Sequence, residues 1–425
     1  MRLAVYGFAD PNQGSLLGAN YLVLSELLDA GCEIDFFNKD SFVRLTELRS
    51  HPGFRFVDCA NQPFDSTNRY MKSRLGSVVG YPFQALDHHT FARCIVRQMR
   101  HEHQQRKYER VLYLGTSVFG AVPGVPSVAW LQGPPGTDAR SIYDNWDLLR
   151  QNGGIGKALA FKLYAAYRLS LGAPNYRHCD RVIVGSSWSA DAMRRYVQYP
   201  GPIDILPYPM DPKHFGQRGE NTPLTNQLKI LWLGRIVPRK RMDVFLRGCE
   251  LAVEKGVPLS VTIVGQIGFF RGLAPSIEKF AFPDRLKWIR HLPKNEIPNL
   301  IAQHDVLGQP SDEENFGSAV AEAQLLGLPV IVGPTNGTAD YICHRSLKLK
   351  SNTSQVFAEA IIEMGQRISE NRWGGRYETQ QYARQTYSAK NIVPKLLSIL
   401  ASNSSSPDER YSTSRTTVTQ DPVTE

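Results

Sequence analysis

The sequence of 425 residues is poor in several features, and each absence excludes a class of protein. The six cysteines are scattered and form no Cys-x-x-Cys pair, so neither a disulfide nor a zinc framework is expected and the thiols should be reduced. The opening residues Met1 to Tyr6 read as a strand and lack the apolar stretch and cleavage site of a secretory signal. These absences predict a cytoplasmic protein.

Apolar runs long enough to cross a membrane are also missing. The longest apolar region, 158–171, is interrupted by Lys162 and Arg168, whereas a membrane span requires roughly 20 uninterrupted apolar residues. The stretch 157–168 can instead form a basic amphipathic helix, which leaves peripheral contact with an anionic membrane open. An ordinary helix that packs on a sheet shows the same pattern.

Histidines do not form a convincing metal-binding set. His88 and His89 would point to different sides of a helix, and His101 and His103 lie in a charged helical stretch. We predict surface or capping roles for these histidines, and we expect neither a bound metal nor a cofactor.

The charge is unbalanced. The chain carries +9 at neutral pH, and because residues 401–425 hold two Arg and four acidic side chains, the remainder carries +11. A negatively charged partner is therefore expected, and a nucleic acid, an anionic lipid or a diphosphate would each satisfy that expectation. The basic residues are dispersed and no known nucleic-acid motif accompanies them, so we predict no nucleic-acid partner.

Short apolar runs alternate with longer segments of helical periodicity, which predicts βαβ units and parallel sheets. Residues 1–211 and 227–372 are each predicted to form a Rossmann-like, doubly wound domain, so the fold class is α/β with two domains facing across a cleft. The predicted strands are 3–7, 33–37, 110–114, 127–131, 181–185 and 203–206 in the first domain, and 229–233, 260–264, 286–289, 305–308 and 329–332 in the second.

Three segments lie outside the two predicted domains. Residues 212–226 lose periodicity and gain Gly, Pro and polar residues, which predicts an interdomain linker. Residues 373–400 are predicted to be helical and to pack back on the first domain. Residues 401–425 contain no Leu, Ile, Phe, Met or Trp, so we expect a disordered tail.

An acidic turn in the second domain is the most informative segment. Residues 310–331 run from a strand end through this turn into a Gly-started helix and then into a buried strand. Small residues in the first helical turn would let a ligand approach the backbone, whose free N–H groups favour a phosphate or a hydroxyl-rich anion. Glu322 can bind two ribose hydroxyls, and Glu314 can bind sugar hydroxyls. Alternatively, the acidic residues serve only to cap the helix.

A basic turn follows the first strand of the same domain, at residues 234–243. Its Arg235 and Lys240 can converge at the carboxyl edge of the sheet, where a diphosphate would lie. The Arg fork matches phosphate oxygens and Lys is a compact point charge, so the two suit a nucleoside diphosphate leaving group. The alternative is a solvated basic turn, since 235–241 holds four cations.

The combination of these segments resembles the retaining glycosyltransferases of family 4, group 1 glycosyltransferases with the GT-B fold. The resemblance covers nearly the whole second domain and, more loosely, the first. It implies that Arg235 and Lys240 hold the donor diphosphate, that Glu322 holds the ribose, and that Glu314 and the following amides hold the transferred sugar. Arg235, Lys240 and Glu314 are then the catalytic residues. The donor-binding residues implied are Gly234, Arg235, Lys240, Gly265, Glu314, Asn315, Phe316, Gly317 and Glu322.

The acceptor side departs from the family pattern. Many members carry a His at the end of a strand in the first domain, and here Gln132 occupies the matching place. Gln can donate and accept hydrogen bonds but cannot act as a base, so the general base is unidentified. Gly14 in the first loop and Asp138 are the other acceptor-side candidates, although a loop Asp commonly forms a turn. The segment 207–211, Pro-Tyr-Pro-Met-Asp, also differs from relatives that have Asn-Gly after the first proline.

The resemblance implies transfer of a hexose from a nucleotide diphosphate sugar to an acceptor hydroxyl with retained configuration and without a metal. The family usually needs none, and no Asp-x-Asp stands where it would hold a diphosphate-bridging cation. A glycan, a lipid-linked or a small-molecule acceptor would each fit. Two alternatives stay open: a sugar-nucleotide epimerase of the same fold, and a catalytically silent sugar-nucleotide-binding protein.

Overall fold

The computed structural model describes most of the chain. The described residues are 1–12, 16–45, 47–59, 76–115, 120–131, 133, 146, 150, 154–156, 158–160, 162–163, 165–166, 176, 179–211, 227–268, 274–370 and 372–402. The predicted linker at 212–226 and nearly all of the predicted tail at 401–425 lie outside the described residues.

A seven-stranded parallel sheet forms the first domain, with the strand order β3-β2-β1-β4-β5-β6-β7. Its strands are β1 (Arg2–Gly7), β2 (Glu33–Asn38), β3 (Phe54–Asp58), β4 (Arg110–Leu114), β5 (Ser127–Trp130), β6 (Arg181–Val184) and β7 (Ile203–Ile205). The described helices around it are α1 (Leu16–Asp29), α2 (Gly76–Gln105) and α3 (Ser187–Ala192), the last continued by a π-helix at Met193–Val197.

A six-stranded parallel sheet forms the second domain, with the order β10-β9-β8-β11-β12-β13. Its strands are β8 (Leu228–Leu233), β9 (Leu259–Val264), β10 (Leu286–Ile289), β11 (Val306–Gln309), β12 (Val330–Val332) and β13 (Leu347–Lys348). The helices are α4 (Met242–Glu254), α5 (Ala274–Glu278), α6 (Ile297–Ala302), α7 (Ser318–Leu325), α8 (Ser354–Glu370), α9 (Arg372–Thr386) and α10 (Ala389–Ala401).

The prediction of two doubly wound parallel sheets is confirmed. Each of the predicted strands is present with bounds that differ by at most one residue, and the structure adds β3 and β13. Both additional strands lie at the edge of a sheet and pair with a single neighbour. An edge strand is less completely buried than a central one, so its apolar pattern is weaker.

Buried side chains join the two domains into a continuous core. Along β1, Leu3 and Val5 belong to one buried cluster, whereas Ala4 and Tyr6 face a second cluster on the other side of the sheet. The first cluster continues through both domains to the last helices. There α10 packs against α1, and the Arg110 Nε donates a 2.6 Å hydrogen bond to the carbonyl of Leu400.

The described part of segment 157–168 is helical and packs through its small residues. Ala158 and Ala165 are buried in the same cluster as the core of the second domain. Leu159 and Leu163 point outward, with 51% and 65% of their surface exposed. Within the described residues, no helix combines the length and the apolar character that crossing a bilayer requires.

All six cysteines are buried, and each carries a free thiol. Burial raises the pKa of the Cys59 and Cys179 thiols to about 12, so both remain protonated near neutral pH. These thiols are therefore packing residues.

Candidate functional site

Two turns meet at the carboxyl edge of the second sheet. Strands β8 and β11 are adjacent and parallel, with Val306 opposite Ile230, so the loops that follow them emerge side by side. The Asp312 amide donates a 2.8 Å hydrogen bond to the carbonyl of Arg239, which links the two loops directly. The structure thus brings the acidic turn and the basic turn together.

Glu314 is the centre of this junction. One of its carboxylate oxygens accepts hydrogen bonds from Lys240 Nζ at 2.8 Å and from Arg239 Nη1 at 2.7 Å. The three side chains are 9–13% exposed. Arg239 also donates to the carbonyl of Glu313 at 2.9 Å. Glu314 therefore pairs with buried cations. A carboxylate that only capped the helix, or a basic turn exposed to solvent, would not form these contacts.

The neighbouring cations keep the carboxyl group of Glu314 ionised. Burial alone would raise the pKa of this carboxyl, but Arg239 and Lys240 outweigh burial and lower the pKa to about 2. Burial lowers the pKa of Lys240, with Arg239 and Arg235 adding repulsion, and Glu314 opposes this shift. Two cations thus contact a single ionised carboxylate, the charge of Arg235 lies near Lys240, and the surplus positive charge suits an anionic ligand.

The members of the basic turn have different environments. Arg235 is exposed, its charge acts on Lys240, and no hydrogen bond or ion pair to it occurs within the described part of the chain. Arg239 is partly buried on Glu314, a role that our sequence prediction missed. Arg241 has a left-handed backbone, with φ of 49°, and its guanidinium lies 3.0 Å from both Asp243 and Asp312. Arg241 therefore holds the two turns in place.

Two of the predicted glycines are required by the backbone. Gly265 has φ of 154°, and a Cβ added there would lie 1.8 Å from the carbonyl oxygen of Gly234. Gly317 precedes α7 with φ of 80°, and its added Cβ would lie 2.7 Å from Asn336 Oδ1. Both positions exclude ordinary side chains, so these glycines let neighbouring loops approach each other closely.

Asn315 and Phe316 direct their side chains into the junction between the domains. Phe316 is buried, with its ring centroid 5.4 Å from that of Tyr208 and 5.6 Å from that of Tyr387. The side-chain amide of Asn315 bonds to the first domain. Across the described ranges, the backbone amides of Asn315, Phe316 and Gly317 donate no hydrogen bond to the backbone. These amides are thus free to donate to a ligand, and their binding of the sugar stays a prediction.

Glu322 lies on α7 and is partly buried. Burial raises the pKa of its carboxyl from 4.5 to about 7, and Lys294 opposes this shift. Within the described residues its carboxylate takes part in no hydrogen bond or ion pair, and it does not join the cluster around Glu314. A ribose would supply the two hydroxyl donors that this carboxylate can accept.

We expect Glu322→Gln to stabilise the ligand-free protein at alkaline pH. A raised carboxyl pKa means that the folded state holds the proton more tightly, so stability is complete below pH 4.5 and falls as pH rises to about 7. The variant lacks this loss, and its melting temperature should exceed that of the wild type by about 2 °C or more at pH 8. Differential scanning fluorimetry between pH 5 and pH 8.5 measures the gap. Equal melting curves, or the same gap for the exposed control Glu359→Gln, would contradict this expectation.

The three acceptor-side candidates, Gly14, Gln132 and Asp138, lie outside the described residues. The strand that leads to Gln132 is described, and Leu131 at its end accepts a hydrogen bond from the Tyr208 hydroxyl. The Tyr208 ring stacks on Trp130, with centroids 5.4 Å apart. Met210 donates to the carbonyl of Tyr387 at 2.9 Å. The unusual segment 207–211 therefore forms part of the domain junction.

Metal ligands do not cluster in the part of the chain that the structure describes, where no group of three or more His, Cys, Asp or Glu has a suitable arrangement. His103 has a local role instead. Its Nδ1 accepts a 3.0 Å hydrogen bond from the amide of Tyr108, just beyond the end of α2.

Residues 216–376 match the family described as Glycosyl transferases group 1. Among curated proteins, the chain is 25% identical over 172 residues to the amylovoran biosynthesis glycosyltransferase AmsK of Erwinia amylovora, with 39% of this chain and 42% of that protein covered. The chain spans about two fifths of the length of the first curated relatives that it matches.

Solved structures resemble nearly the whole chain. The sucrose-phosphate synthase of Thermosynechococcus elongatus has a TM-score of 0.63 at 16% identity, covering 94% of this chain and 98% of that one. The Anabaena protein Alr3699/HepE, solved in complex with UDP and glucose, has a TM-score of 0.59 at 17% identity, covering 95% and 100%. The chain therefore has the GT-B fold, and its second domain is similar to the group 1 glycosyl transferases over residues 216–376.

Proposed function

We propose that the protein transfers a hexose from a nucleotide diphosphate sugar to an acceptor hydroxyl, with retention of configuration and without a metal. The observation that carries the proposal is the pairing of the ionised Glu314 with Arg239 and Lys240, with the charge of Arg235 near Lys240. It lies at the sheet edge where ligands of such domains bind. The similarity to group 1 glycosyl transferases over the same residues supports the same activity.

The leaving group explains the excess of cations. As the sugar leaves, negative charge grows on the departing diphosphate, and fixed cations that already face it stabilise that charge without rearranging. In this proposal Lys240 and the exposed Arg235 contact the diphosphate, while Arg239 keeps Glu314 ionised and oriented. Glu314 then accepts hydrogen bonds from sugar hydroxyls, and Glu322 accepts those of the ribose.

The acceptor hydroxyl loses its proton during transfer, so another group must accept that proton. Gln132 cannot take it, since an amide is not a base at neutral pH. In a transfer that occurs on one face of the sugar, the departing phosphate oxygen lies next to the incoming hydroxyl. That oxygen takes the proton as the new glycosidic bond forms and the old one breaks. Retention of configuration follows because the acceptor enters from the face that the diphosphate leaves.

The proposal is tested by a calorimetric screen of UDP-, GDP- and ADP-sugars, followed by transfer assays with the donor that binds. We expect one donor to bind, Arg235→Ala to weaken that binding about tenfold, and the exposed control Arg247→Ala to leave it unchanged. The product should keep the anomeric configuration of the donor by NMR, and EDTA should not slow its formation.

Each alternative predicts a different result in the same screen. Conversion of the donor without any acceptor indicates an epimerase, and binding without turnover indicates a silent binding protein. An inverted product, inhibition by EDTA or the absence of binding to every donor would each refute the corresponding part of the proposal.

A further inference from the structure

One side chain of the acidic turn bonds to the other domain. The Asn315 Nδ2 donates a 3.2 Å hydrogen bond to the carbonyl of Leu131, and its Oδ1 accepts one of 3.3 Å from the amide of Gly185. Asn315 is 7% exposed. Both ends of the amide are thus occupied by the first domain.

The two partners lie at consecutive strand ends. Leu131 follows β5 and Gly185 follows β6, which are neighbouring parallel strands, so their carboxyl ends face the second domain together. One strand end presents a carbonyl and the other an N–H. A carboxamide carries a donor and an acceptor on one group, so it satisfies both, whereas a carboxylate can satisfy only the N–H.

The sequence neighbours of Asn315 and Leu131 connect this contact with catalysis. Asn315 directly follows Glu314, whose carboxylate belongs to the donor cluster, and Leu131 directly precedes Gln132, the predicted acceptor-side residue. The Asn315 side chain therefore links the turn for the donor sugar directly to the strand end for the acceptor. Misplacing reacting groups by about 1 Å can cost roughly 100-fold in rate.

We propose that Asn315 is a positioning residue that holds the acceptor-side strand end against the donor turn, so that the acceptor hydroxyl, rather than water, reaches the sugar. The inference rests on the proposed transferase function. It predicts a specific defect, because the cations that bind the donor do not depend on the Asn315 side chain. Donor binding should survive its loss, while the partition between transfer and hydrolysis should change.

Asn315→Ala and Asn315→Asp test this inference. Transfer kcat should fall about 10- to 100-fold, the donor Kd should stay within about threefold, and the hydrolysed fraction of donor should rise several-fold. Asn315→Asp is nearly isosteric and keeps the bond from Gly185, but it cannot donate to Leu131, so it should share the defect. An unchanged donor Kd shows at the same time that the second domain is folded.

Asp340→Ala is the matched control. Asp340 also crosses the domain junction, accepting bonds of 2.7 and 2.8 Å from the amide and hydroxyl of Ser187, but it is exposed and forms no hydrogen bond with Leu131. It should keep the wild-type ratio of transfer to hydrolysis. An equal shift in Asp340→Ala, an unchanged ratio in the Asn315 variants, or loss of donor binding in them would overturn the inference. Failure of the wild type to transfer at all would instead refute the proposed function.

Discussion

Replacing Lys240 by alanine should lower kcat for sugar transfer by about 100- to 1,000-fold. The ammonium group is buried at the sheet edge and lies 2.8 Å from Glu314, with the charge of Arg235 nearby. Its loss removes a fixed cation from the place where charge develops on the departing diphosphate. Steady-state assays of nucleoside diphosphate release, with the donor found by calorimetry, measure the effect.

Two variants control the Lys240 experiment. Lys255→Ala removes an exposed cation at the end of α4 and should retain full activity. Lys240→Arg keeps the charge but brings a larger, planar group into a buried position, so we expect it to restore only part of the rate. If Lys240→Ala keeps more than a tenth of the wild-type rate, the ammonium group does not stabilise the leaving group.

Replacing Gly265 by alanine should destabilise the second domain by more than about 4 kcal/mol, a large part of the stability of a typical domain. The added Cβ would lie 1.8 Å from the carbonyl oxygen of Gly234, a contact between two backbones that no rotamer change relieves. Moving either loop would displace the start of the basic turn. Urea denaturation followed by far-UV circular dichroism measures the loss.

Gly256→Ala is the control for Gly265→Ala, because it introduces backbone strain without steric overlap. Gly256 also has positive φ, at 87°, but an added Cβ would meet nothing within 4 Å. It should therefore cost only about 1–2 kcal/mol. If both variants lose the same stability, the overlap between Gly265 and Gly234 is not the cause.

The strands were predictable from the sequence because a central parallel strand is buried on both faces and reads as a short apolar run. The edge strands β3 and β13 escaped prediction. In β3, Arg55 lies between two phenylalanines and pairs with Asp35, so the run is not continuously apolar. Strand β13 has only two residues, too few for any periodicity.

The candidate site was predictable only in part. The spacing of charges after strand ends pointed to Lys240 and Glu314, which the structure places in contact. The sequence could not distinguish Arg239 from Arg241, since adjacent cations look alike in a basic run. The structure separates them through a short 3₁₀ turn at Pro238–Lys240 and the left-handed backbone of Arg241. Arg239 reaches Glu314 and Arg241 reaches Asp312, each more than 70 positions away along the chain.

The side-chain contacts at the domain junction were the least predictable feature of the sequence. Tyr208 and Asn315 were interpreted through their local turns, whereas the structure gives their side chains partners in distant segments. An aromatic or amide residue in a loop has no periodic pattern that reveals a tertiary contact. For such residues, only the relative placement of the two sheets identifies the role.

The packing of α10 on α1 has a consequence for how the chain folds during synthesis. Helix α1 is covered by α10, which is synthesised more than 350 residues later, and the Arg110 guanidinium donates its hydrogen bond to the carbonyl of Leu400. Domains commonly fold in the order in which they are translated. Here α1 keeps an apolar face uncovered until residues 389–401 have emerged. Nascent chains stalled before residue 389 should therefore bind chaperones that recognise exposed apolar surface, and release them once α10 is complete.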